Sequence, residues 1–362
     1  MTHRRRQNFY ALPTEQWQRL AAPPFNLLEN LERVDDAIDA NADIADEILS
    51  MALDVAAEVD TDGDEPQWHG KATASDLDKA RSTIRQFFRE WSAEGAHERA
   101  ASNGLVLQAL ERAFPSMSIR KSIKVLVPGA GLGRLVFDIF MMGFRVEGNE
   151  ISYHQLMASN WVLNHVKPER KYSLHPYALD FSNLLNREHQ LKMVRIPDVN
   201  PASTAIGQDG DHHGQMSVSA GDFISVYGSE ERKNTFDVVA TVFFVDTAPN
   251  VIRYIETVRH CLRDGAIWIN CGPLLWHFAD RALPAPDRVI KGESARDLVG
   301  IEAPGSIEMT DSELVALVGE MGFDIEMHEI RDDGQGYIRN PDSMLQNIYR
   351  CSFWIAKKRS HG

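Results

Sequence analysis

The chain of 362 residues has few cysteines, no long apolar run and almost no clustering of basic residues. Its three cysteines, Cys261, Cys271 and Cys351, are too few for a disulfide framework, and no two have CxxC spacing. A small secreted fold held together by disulfides is therefore excluded. We expect a reducing compartment, which is the cytoplasm or the nucleus.

No stretch approaches the ~18 to 20 apolar residues that a membrane span requires, and no apolar segment follows the basic start at Arg4–Arg6. The formal net charge is −14, from 38 Lys and Arg against 52 Asp and Glu. An acidic surface repels phosphate backbones, and no dense basic block occurs beyond Arg4–Arg6. The sequence thus predicts neither a membrane partner nor a nucleic-acid partner.

What is present is an ordinary globular composition, with 43% hydrophobic and 25% charged residues. Apolar residues recur at helical spacing over about 24–59, 75–92 and 98–114, and we expect Ser75 or Asp76 to cap the second of these helices. From residue 124 onward, short apolar runs alternate with helical segments. This pattern predicts an all-helical N-terminal region over 1–115 and an α/β domain over 116–362.

The predicted strands cover residues 125–127, 144–150, 216–220, 236–245, 266–270, 324–330 and 351–356, and helices are predicted over 135–142, 152–165, 251–262 and 311–321. Their alternation predicts a doubly wound, Rossmann-like parallel sheet with 236–245 at its centre and the last two strands antiparallel at its end. A polar insertion over 200–215 contains Asp211, His212 and His213. We interpret it as a surface loop and expect no metal, because no further ligand with suitable spacing is nearby.

A glycine-rich loop follows the first predicted strand, with the sequence Pro128-Gly129-Ala130-Gly131-Leu132-Gly133-Arg134. Glycines allow a sharp turn and the close approach of a ligand, and the start of the next helix presents N–H groups. The NAD fingerprint G-x-G-x-x-G requires glycine or alanine where this chain has Arg134. The loop therefore fits S-adenosylmethionine better, with Gly129 and Gly131 against the cofactor and Arg134 paired with its carboxylate.

Acidic residues end the next two predicted strands. Glu150 lies 19 residues beyond Gly131, where a carboxylate can accept both ribose hydroxyls. Asp222 and Phe223 follow the third strand and are expected to contact the adenine, through the carboxylate and the ring face. Taken singly, Glu150 could instead be a capping acid and Asp222 a turn or N-cap residue. The glycine-rich loop, Glu150 and the pair Asp222 and Phe223 lie at the ends of three successive predicted strands. Together they favour cofactor binding.

The predicted central strand ends at Asp246, where a doubly wound sheet binds its ligands. This position makes Asp246 a candidate reacting group, with an N-cap of the following helix as the alternative. His277 follows the next strand and would lie at the same edge. On its own, His277 is more typical of a surface or packed histidine.

The chain resembles the carnosine N-methyltransferase family from about Leu12 to Lys358. The resemblance is carried by these motifs: VLVPGAGLGRL at 125–135, GNE at 148–150, SAGDF at 219–223, ATVFFVDTAPNVI at 240–252, WINCGPLLWHF at 268–278 and STIRQFFREWS at 82–92. It implies a class I methyltransferase fold whose helical N-terminal region covers the cofactor. It also implies S-adenosylmethionine-dependent methylation of an imidazole nitrogen of carnosine (β-alanyl-histidine), giving anserine.

By motif match, the resemblance assigns one set of residues to the cofactor, which is Gln86, Arg89, Gly129, Glu150, Asp222 and Phe223. It assigns Asp246, His277 and Tyr349 to the substrate. Asn347 and Ile348 stand where the family carries aromatic residues. As a mechanism, we expect Asp246 to accept the imidazole N–H and thereby fix the tautomer, while His277 and Tyr349 orient the ring.

Three alternatives stay open at this point. The first is a methyltransferase of the same fold that acts on a histidine in a peptide or protein. The second is a nicotinamide-dependent oxidoreductase, against which Arg134 argues. The third is a non-catalytic binding module, which would be expected to have lost the cofactor loop or Asp246. The acidic N-terminal region is compatible with a homodimer, although its pattern does not decide the oligomeric state.

Overall fold

The computed structural model describes residues 2–59, 70–166, 169–205, 214–280, 300 and 305–360. The chain divides into two compact units. The first unit, as we call it, comprises Met1–Ala96, Asn160–Ala202 and Tyr337–Asn347, and the sheet unit comprises His97–Ser159, Ser203–Gly336 and Ile348–Gly362.

The described α-helices are α1 (Thr2–Tyr10), α2 (Thr14–Ala21), α3 (Leu27–Val59), α4 (Ala74–Trp91), α5 (Ala96–Ala101), α6 (Asn103–Ala113), α7 (Met117–Arg120), α8 (Arg134–Met141), α9 (Tyr153–Asn160), α10 (Arg187–Gln190), α11 (Pro201–Ala205), α12 (Phe223–Tyr227), α13 (Val251–Cys261) and α14 (Asp311–Glu320). The described strands are β1 (Lys124–Pro128), β2 (Arg145–Glu150), β3 (Tyr172–Leu174), β4 (Val194–Ile196), β5 (Gln215–Ala220), β6 (Phe236–Val242), β7 (Leu262–Gly272), β8 (Phe323–Ile330) and β9 (Ser352–Lys358).

Seven of these strands form one sheet in the order β5-β2-β1-β6-β7-β9-β8. The first five are mutually parallel, whereas β9 runs antiparallel to both of its neighbours. The strand order changes direction between β1 and β6. From β1 the sheet continues through β2 to β5 in one direction, and from β6 it continues to β7 in the other. A ligand crevice is expected at this reversal, beyond the carboxyl ends of the strands.

The strands are apolar because both faces of the sheet are covered. Along β1, Val125 and Val127 contribute to the core on one face, where α6 and α8 lie. Leu126 contributes to the core on the other face, together with residues of α12, α13 and α14. Such a doubly buried strand has no polar side, which explains the continuous apolar runs in the sequence.

The structure confirms the predicted doubly wound sheet, the central position of the 236–245 run and the antiparallel pair at the sheet's end. The central strand ends at Val242, three residues earlier than predicted. It ends there because Phe243 adopts the left-handed conformation, with φ of 53°. A strand does not continue through a residue with positive φ.

Two predicted helices are interrupted. The expected helix over 98–114 is split into α5 and α6 at Ser102, whose φ of −126° and ψ of −73° are not helical. The Ser102 hydroxyl donates to the Glu98 carbonyl oxygen at 3.0 Å. The expected helix over 152–165 ends as α9 at Asn160 and continues as a π-helical turn, Trp161–His165.

The first unit contains a small sheet that the sequence did not predict. Strands β3 and β4 pair antiparallel and are three residues long each. Strands this short carry no readable alternation of apolar and polar residues. Aromatic contacts connect this unit internally, for example Phe87 edge-on to Trp161 at 5.5 Å and Phe88 beside Tyr177 at 5.6 Å.

The division into units differs from the predicted boundary at residue 115. Helix α6 packs on α8 and β7 and belongs to the sheet unit, whereas 160–202 belongs to the first unit. A single boundary along the sequence cannot describe these units, because the chain leaves the sheet unit after residue 159 and returns to it at 203. That the helical region covers the cofactor stays a prediction.

Within the described residues, no helix is long and apolar enough to cross a membrane. The predicted polar insertion over 200–215 contains α11 and the first residue of β5. Its run Asp211-His212-His213 lies outside the described residues.

Helix α4 begins with a capping box at a position different from the expected one. The N-cap is Thr73, whose hydroxyl accepts from the Asp76 N–H at 3.2 Å, while the Asp76 carboxylate accepts from the Thr73 N–H at 3.0 Å. Ser75 lies within the first turn and is exposed. The expected cap at Ser75 or Asp76 was therefore wrong, although Asp76 is the reciprocal partner in the box.

Replacing Thr73 with Ala should lower the free energy of unfolding by about 1 kcal/mol, because the first turn of α4 loses an acceptor for its N–H groups. Ser75→Ala is the matched control and should change stability by less than about 0.5 kcal/mol. Urea denaturation followed by circular dichroism measures both. Equal losses in the two variants would contradict the assignment of the cap.

Candidate active site

The loop after β1 is built from glycines in a conformation that other residues disfavour. Gly129, Gly131 and Gly133 have φ of 69°, 58° and 81°, and Gly133 is the N-cap of α8. A Cβ atom at Gly129 would lie 2.7 Å from Cδ2 of Phe244, which follows β6. The loop therefore requires glycine at 129 for two reasons, its backbone conformation and the approach of Phe244.

Glu150 ends β2 with its carboxylate turned toward this loop. Its Oε2 accepts from the Gly131 N–H, and its Oε1 accepts from the N–H groups of Ile151 and Ser152, each at 2.9 Å. Burial raises the pKa of this carboxyl, and the three hydrogen bonds oppose that rise without cancelling it. Since a carboxylate has about four acceptor positions, Oε2 retains room for a ligand hydroxyl beside Gly131.

Asp222 and Phe223 follow β5 and begin α12. Oδ1 of Asp222 accepts from the N–H and the hydroxyl of Ser225 at 3.0 and 3.2 Å, so Asp222 is an N-cap. The Phe223 ring is buried and packs edge-on against Phe244 at 5.5 Å and Tyr254 at 5.4 Å. The Phe223 ring thus supports Phe244, and the expected contact of Asp222 and Phe223 with the adenine stays a prediction.

Arg134 is the first residue of α8, directly after the glycine loop. Its Nε donates to Oδ1 of Asp138 at 2.9 Å, one helical turn further on. This ion pair fixes the side chain along the start of the helix. Its predicted pairing with the cofactor's carboxylate stays a prediction.

Asp246 lies in a 3₁₀ turn, Val245–Thr247, just after the central strand, and only 2% of it is exposed. Its Oδ2 accepts from the Leu275 N–H at 2.9 Å, and its carbonyl oxygen accepts from the His277 N–H at 3.0 Å. The alternative role as an N-cap is not realised, because Asn250 caps α13. Two amides from the loop after β7 thus hold the turn that carries the carboxylate.

Burial is the main influence on the ionisation of Asp246. It raises the pKa of the carboxyl above its usual value, while the Leu275 N–H and the charge of nearby His277 act in the opposite direction. The His277 side chain is exposed, although its backbone is bound to Asp246. A buried carboxylate with raised basicity is suited to accept a proton from a bound ligand.

Tyr349 reaches the same edge of the sheet from the segment before β9. Its backbone exchanges two hydrogen bonds of 2.8 Å with Gln335, and its ring lies edge-on to Phe243 at 5.9 Å. The structure therefore brings Asp246 and His277 into direct contact and connects Tyr349 to the end of β6 through Phe243.

Two site residues were not predicted. Phe243 and Trp276 have φ of 53° and 46°, and such a conformation costs about 1–3 kcal/mol for a non-glycine residue. Strain of this kind is retained where the surrounding structure enforces it, frequently at functional sites. The sequence offers no signal for it, since positive φ is recognisable only when glycine or asparagine marks the position.

Gln86 and Arg89 lie on α4 of the first unit. Arg89 is buried, forms an ion pair with Glu90 at 2.5 Å and lies over the Tyr337 ring at 4.9 Å. Gln86 is half-buried. Their assignment to the cofactor stays a prediction from the resemblance.

The residues of the sheet unit fit S-adenosylmethionine in two respects. The Gly129–Gly133 loop admits a ligand close to the backbone, and Glu150 keeps an acceptor position for a ribose hydroxyl. Both lie beside the point between β1 and β6 where the strand order changes direction. In this seven-stranded sheet, β9 alone runs antiparallel to the other strands. This combination defines a class I S-adenosylmethionine-dependent methyltransferase.

Comparisons with known proteins specify the family within that class. Residues 66–360 match the family model described as carnosine N-methyltransferase. The chain is 37% identical to a carnosine N-methyltransferase of Schizosaccharomyces pombe, covering 92% of this chain and 83% of the relative. It is 34% identical to one of Rattus norvegicus, covering 98% and 81%. The chain belongs to the carnosine N-methyltransferase family.

A third relative, from Drosophila melanogaster, is 38% identical over 77% of this chain and 55% of its own length. A solved S-adenosylmethionine-dependent methyltransferase from Methanosarcina mazei aligns with 66% of this chain and 93% of its own, at 15% identity and a TM-score of 0.39. The fold assignment accordingly rests on the strand order of this chain.

Gly129→Ala should reduce cofactor affinity by about tenfold or more, which corresponds to about 1.4 kcal/mol. The added Cβ forces either the loop or the Phe244 ring to move, and alanine also disfavours the positive φ. Gly319→Ala in α14, where a Cβ meets no atom within 4 Å, is the matched control and should leave affinity unchanged. Isothermal titration with S-adenosylmethionine measures both, and unchanged affinity in Gly129→Ala would exclude a tight loop at the cofactor.

Cofactor affinity should also fall as the pH is lowered through the pKa of Glu150, which burial places above its usual value. Only the ionised carboxylate accepts on both oxygens, so affinity is complete above that pKa and lost below it. In Glu150→Gln, affinity should be weak and should no longer show this pH dependence. Titrations of both proteins between pH 4 and 8 measure the effect, and identical pH profiles would remove Glu150 from the cofactor site.

Proposed function

We propose that this protein transfers the methyl group of S-adenosylmethionine to an imidazole ring nitrogen of carnosine, giving anserine, or of a related histidine-containing dipeptide. Membership of the family supports the reaction class and the acceptor. The observation that carries the proposal is the buried Asp246 carboxylate beyond the central strand, oriented by the Leu275 amide. A neutral imidazole offers one lone pair and one N–H, and this carboxylate is a matching acceptor for the N–H.

When bound, S-adenosylmethionine supplies an electrophilic methyl group. Asp246 would accept the N–H of the acceptor ring and so place the lone pair on the other ring nitrogen, the atom that receives the methyl group. As that nitrogen becomes alkylated, the ring gains positive charge, and the adjacent carboxylate stabilises it. The N–H proton then passes to Asp246 or to solvent, which leaves the neutral methylated ring. The raised pKa of Asp246 favours this last transfer.

His277 and Tyr349 flank this carboxylate in the proposal. His277 is bound to Asp246 through its backbone, and its exposed side chain is available to contact the dipeptide. Tyr349 presents a ring edge to Phe243 and is half-buried, which fits a wall that orients an aromatic acceptor. We assign both to substrate orientation rather than to proton transfer.

A histidine in a peptide or protein is the nearest alternative acceptor, and an oxidoreductase reaction with a nicotinamide cofactor is the more distant one. Family membership favours neither. We further propose that the protein acts in the cytoplasm or nucleus. The chain has three cysteines, all of them buried in the structure, and so low a number suits a reducing compartment.

Asp246→Asn should lower kcat with carnosine by about a hundredfold or more, because the amide cannot accept the imidazole proton. The dissociation constant for S-adenosylmethionine should change by less than about threefold. Asp237→Asn, at the opposite end of β6, removes a carboxylate that binds the Lys124 N–H and should leave kcat unchanged. Radiolabelled methyl transfer with product mapping by NMR measures turnover. Equal losses of kcat and cofactor affinity in Asp246→Asn would contradict its assignment to the acceptor.

The acceptor is tested with the wild-type protein on carnosine, free histidine, histidine peptides and histidine-containing proteins. We expect methylation of a ring nitrogen in carnosine and weak or no transfer to the proteins. Transfer to a protein histidine with carnosine untouched would replace the proposed acceptor while retaining the reaction.

A further inference from the structure

The turn that carries Asp246 is held at two points by one short segment. Leu275 donates its N–H to the carboxylate, and His277 donates its N–H to the backbone oxygen of the same residue. Both donors come from the segment 273–278 that follows β7, in which residues 273–276 have no regular secondary structure and a turn begins at His277. Regular hydrogen bonding therefore does not explain how this segment keeps its conformation.

Trp276, between the two donors, supplies the missing constraint. Its side chain is buried in the core of the sheet unit, and its indole Nε1–H donates to the Met309 carbonyl oxygen at 3.0 Å. The neighbouring side chains of Leu275 and His277 are exposed and contribute no comparable anchor. The segment is thus fixed at its centre by the buried Trp276 side chain, and partly buried Leu274 packs against the same core.

The backbone of Trp276 shows the consequence of that anchoring. Its φ of 46° lies in the left-handed region, which tryptophan disfavours. A strained residue keeps such a conformation only when its surroundings enforce it. The amides at 275 and 277, on either side of Trp276, both reach Asp246. The positive φ at 276 lies between these two amides.

We propose that Trp276 is a positioning residue for the methyl transfer, because its anchored indole holds the Leu275 and His277 amides on Asp246. The inference rests on the proposed function, in which Asp246 receives the acceptor's N–H. Trp276 acts through Asp246 and does not itself need to touch the substrate. It differs in this from His277 and Tyr349, which are assigned to direct contact.

The critical variant is Trp276→Phe, which keeps a large apolar side chain and removes the N–H that binds Met309. The matched control is Trp268→Phe, in the same core, where the lost indole N–H donates to the Thr241 hydroxyl at 2.9 Å. Both variants lose one hydrogen bond of an indole N–H and a similar side-chain volume. Only the first alters the segment that binds Asp246.

With carnosine, we expect kcat of Trp276→Phe to fall about tenfold or more, since a carboxylate displaced by a fraction of an ångström orients the acceptor poorly. Affinity for S-adenosylmethionine should stay within about twofold of wild type. Trp268→Phe should show a similar fall in melting temperature with kcat unchanged. Equal kcat in the two variants would overturn the proposal, since loss of packing alone would then account for both.

Hydrogen–deuterium exchange of the segment 273–278 supplies a readout that does not depend on the acceptor. The segment should exchange faster in Trp276→Phe than in wild type and Trp268→Phe, because the amides at 275 and 277 lose their partners. Unchanged exchange would overturn the anchoring by Trp276 even if activity fell. If wild type does not methylate carnosine, the proposed function fails, and the exchange measurement still decides whether Trp276 holds the segment.

Discussion

The loops that follow β1 and β6 contact each other through the ring of Phe244. This ring lies so close to Gly129 that a Cβ atom at that position would be 2.7 Å away. It is also stacked on Tyr254 at 4.9 Å and receives the edge of Phe223 at 5.5 Å. Because Phe244 is confined on these sides, the backbone of the glycine loop and the start of the Asp246 turn have fixed positions relative to each other.

That constraint matters because methyl transfer depends on alignment more than on acid–base chemistry. The donor and acceptor atoms must approach within about 3–3.5 Å along one line. With the proposed roles of the glycine loop at the cofactor and of Asp246 at the acceptor, rigid packing between the two loops would remove one source of misalignment before either ligand binds. Strands β1 and β6 are neighbours in the sheet, so the two loops also share a common base.

The electrostatics of the site have a common pattern. Glu150 and Asp246 are both buried carboxylates, and both are held by backbone amides. Among the described residues, no lysine or arginine pairs with either of them, and burial raises the pKa of both. Buried negative charge without a cationic partner favours positively charged ligands. The sulfonium of the cofactor and the imidazolium that develops on the acceptor are both cations.

The sequence was sufficient for features that depend on local patterns. Apolar runs predicted the strands, and the predicted end of the second strand at Glu150 matches the end of β2. The 2.9 Å hydrogen bond from the Gly131 N–H to Glu150 was not predicted. The cap at Thr73 was missed because Ser75 and Asp76 carry the same local signal. The β3–β4 pair and the division into units depend on long-range contacts, which leave little trace in a single sequence.

The site itself was predictable only in part, for a related reason. Asp246 was identifiable because it follows a long apolar strand, and Phe223 because it follows the third predicted strand within the motif SAGDF. The edge-on packing of the Phe223 ring against Phe244 and Tyr254 depends on long-range contacts, which the sequence could not reveal. Trp276 was passed over because neither its positive φ nor its bond to Met309 has a sequence signature.

The acceptor side of the site is held mainly through backbone atoms. The Asp246 turn is bound by the amides of Leu275 and His277, and Tyr349 is fixed by its backbone pairing with Gln335. Side chains at the exposed positions of these segments can therefore change without loosening the scaffold. Ile348, next to Tyr349, is one such exposed position, with 51% of its surface accessible. A substitution at such a position leaves the backbone hydrogen bonds that hold the Asp246 turn in place.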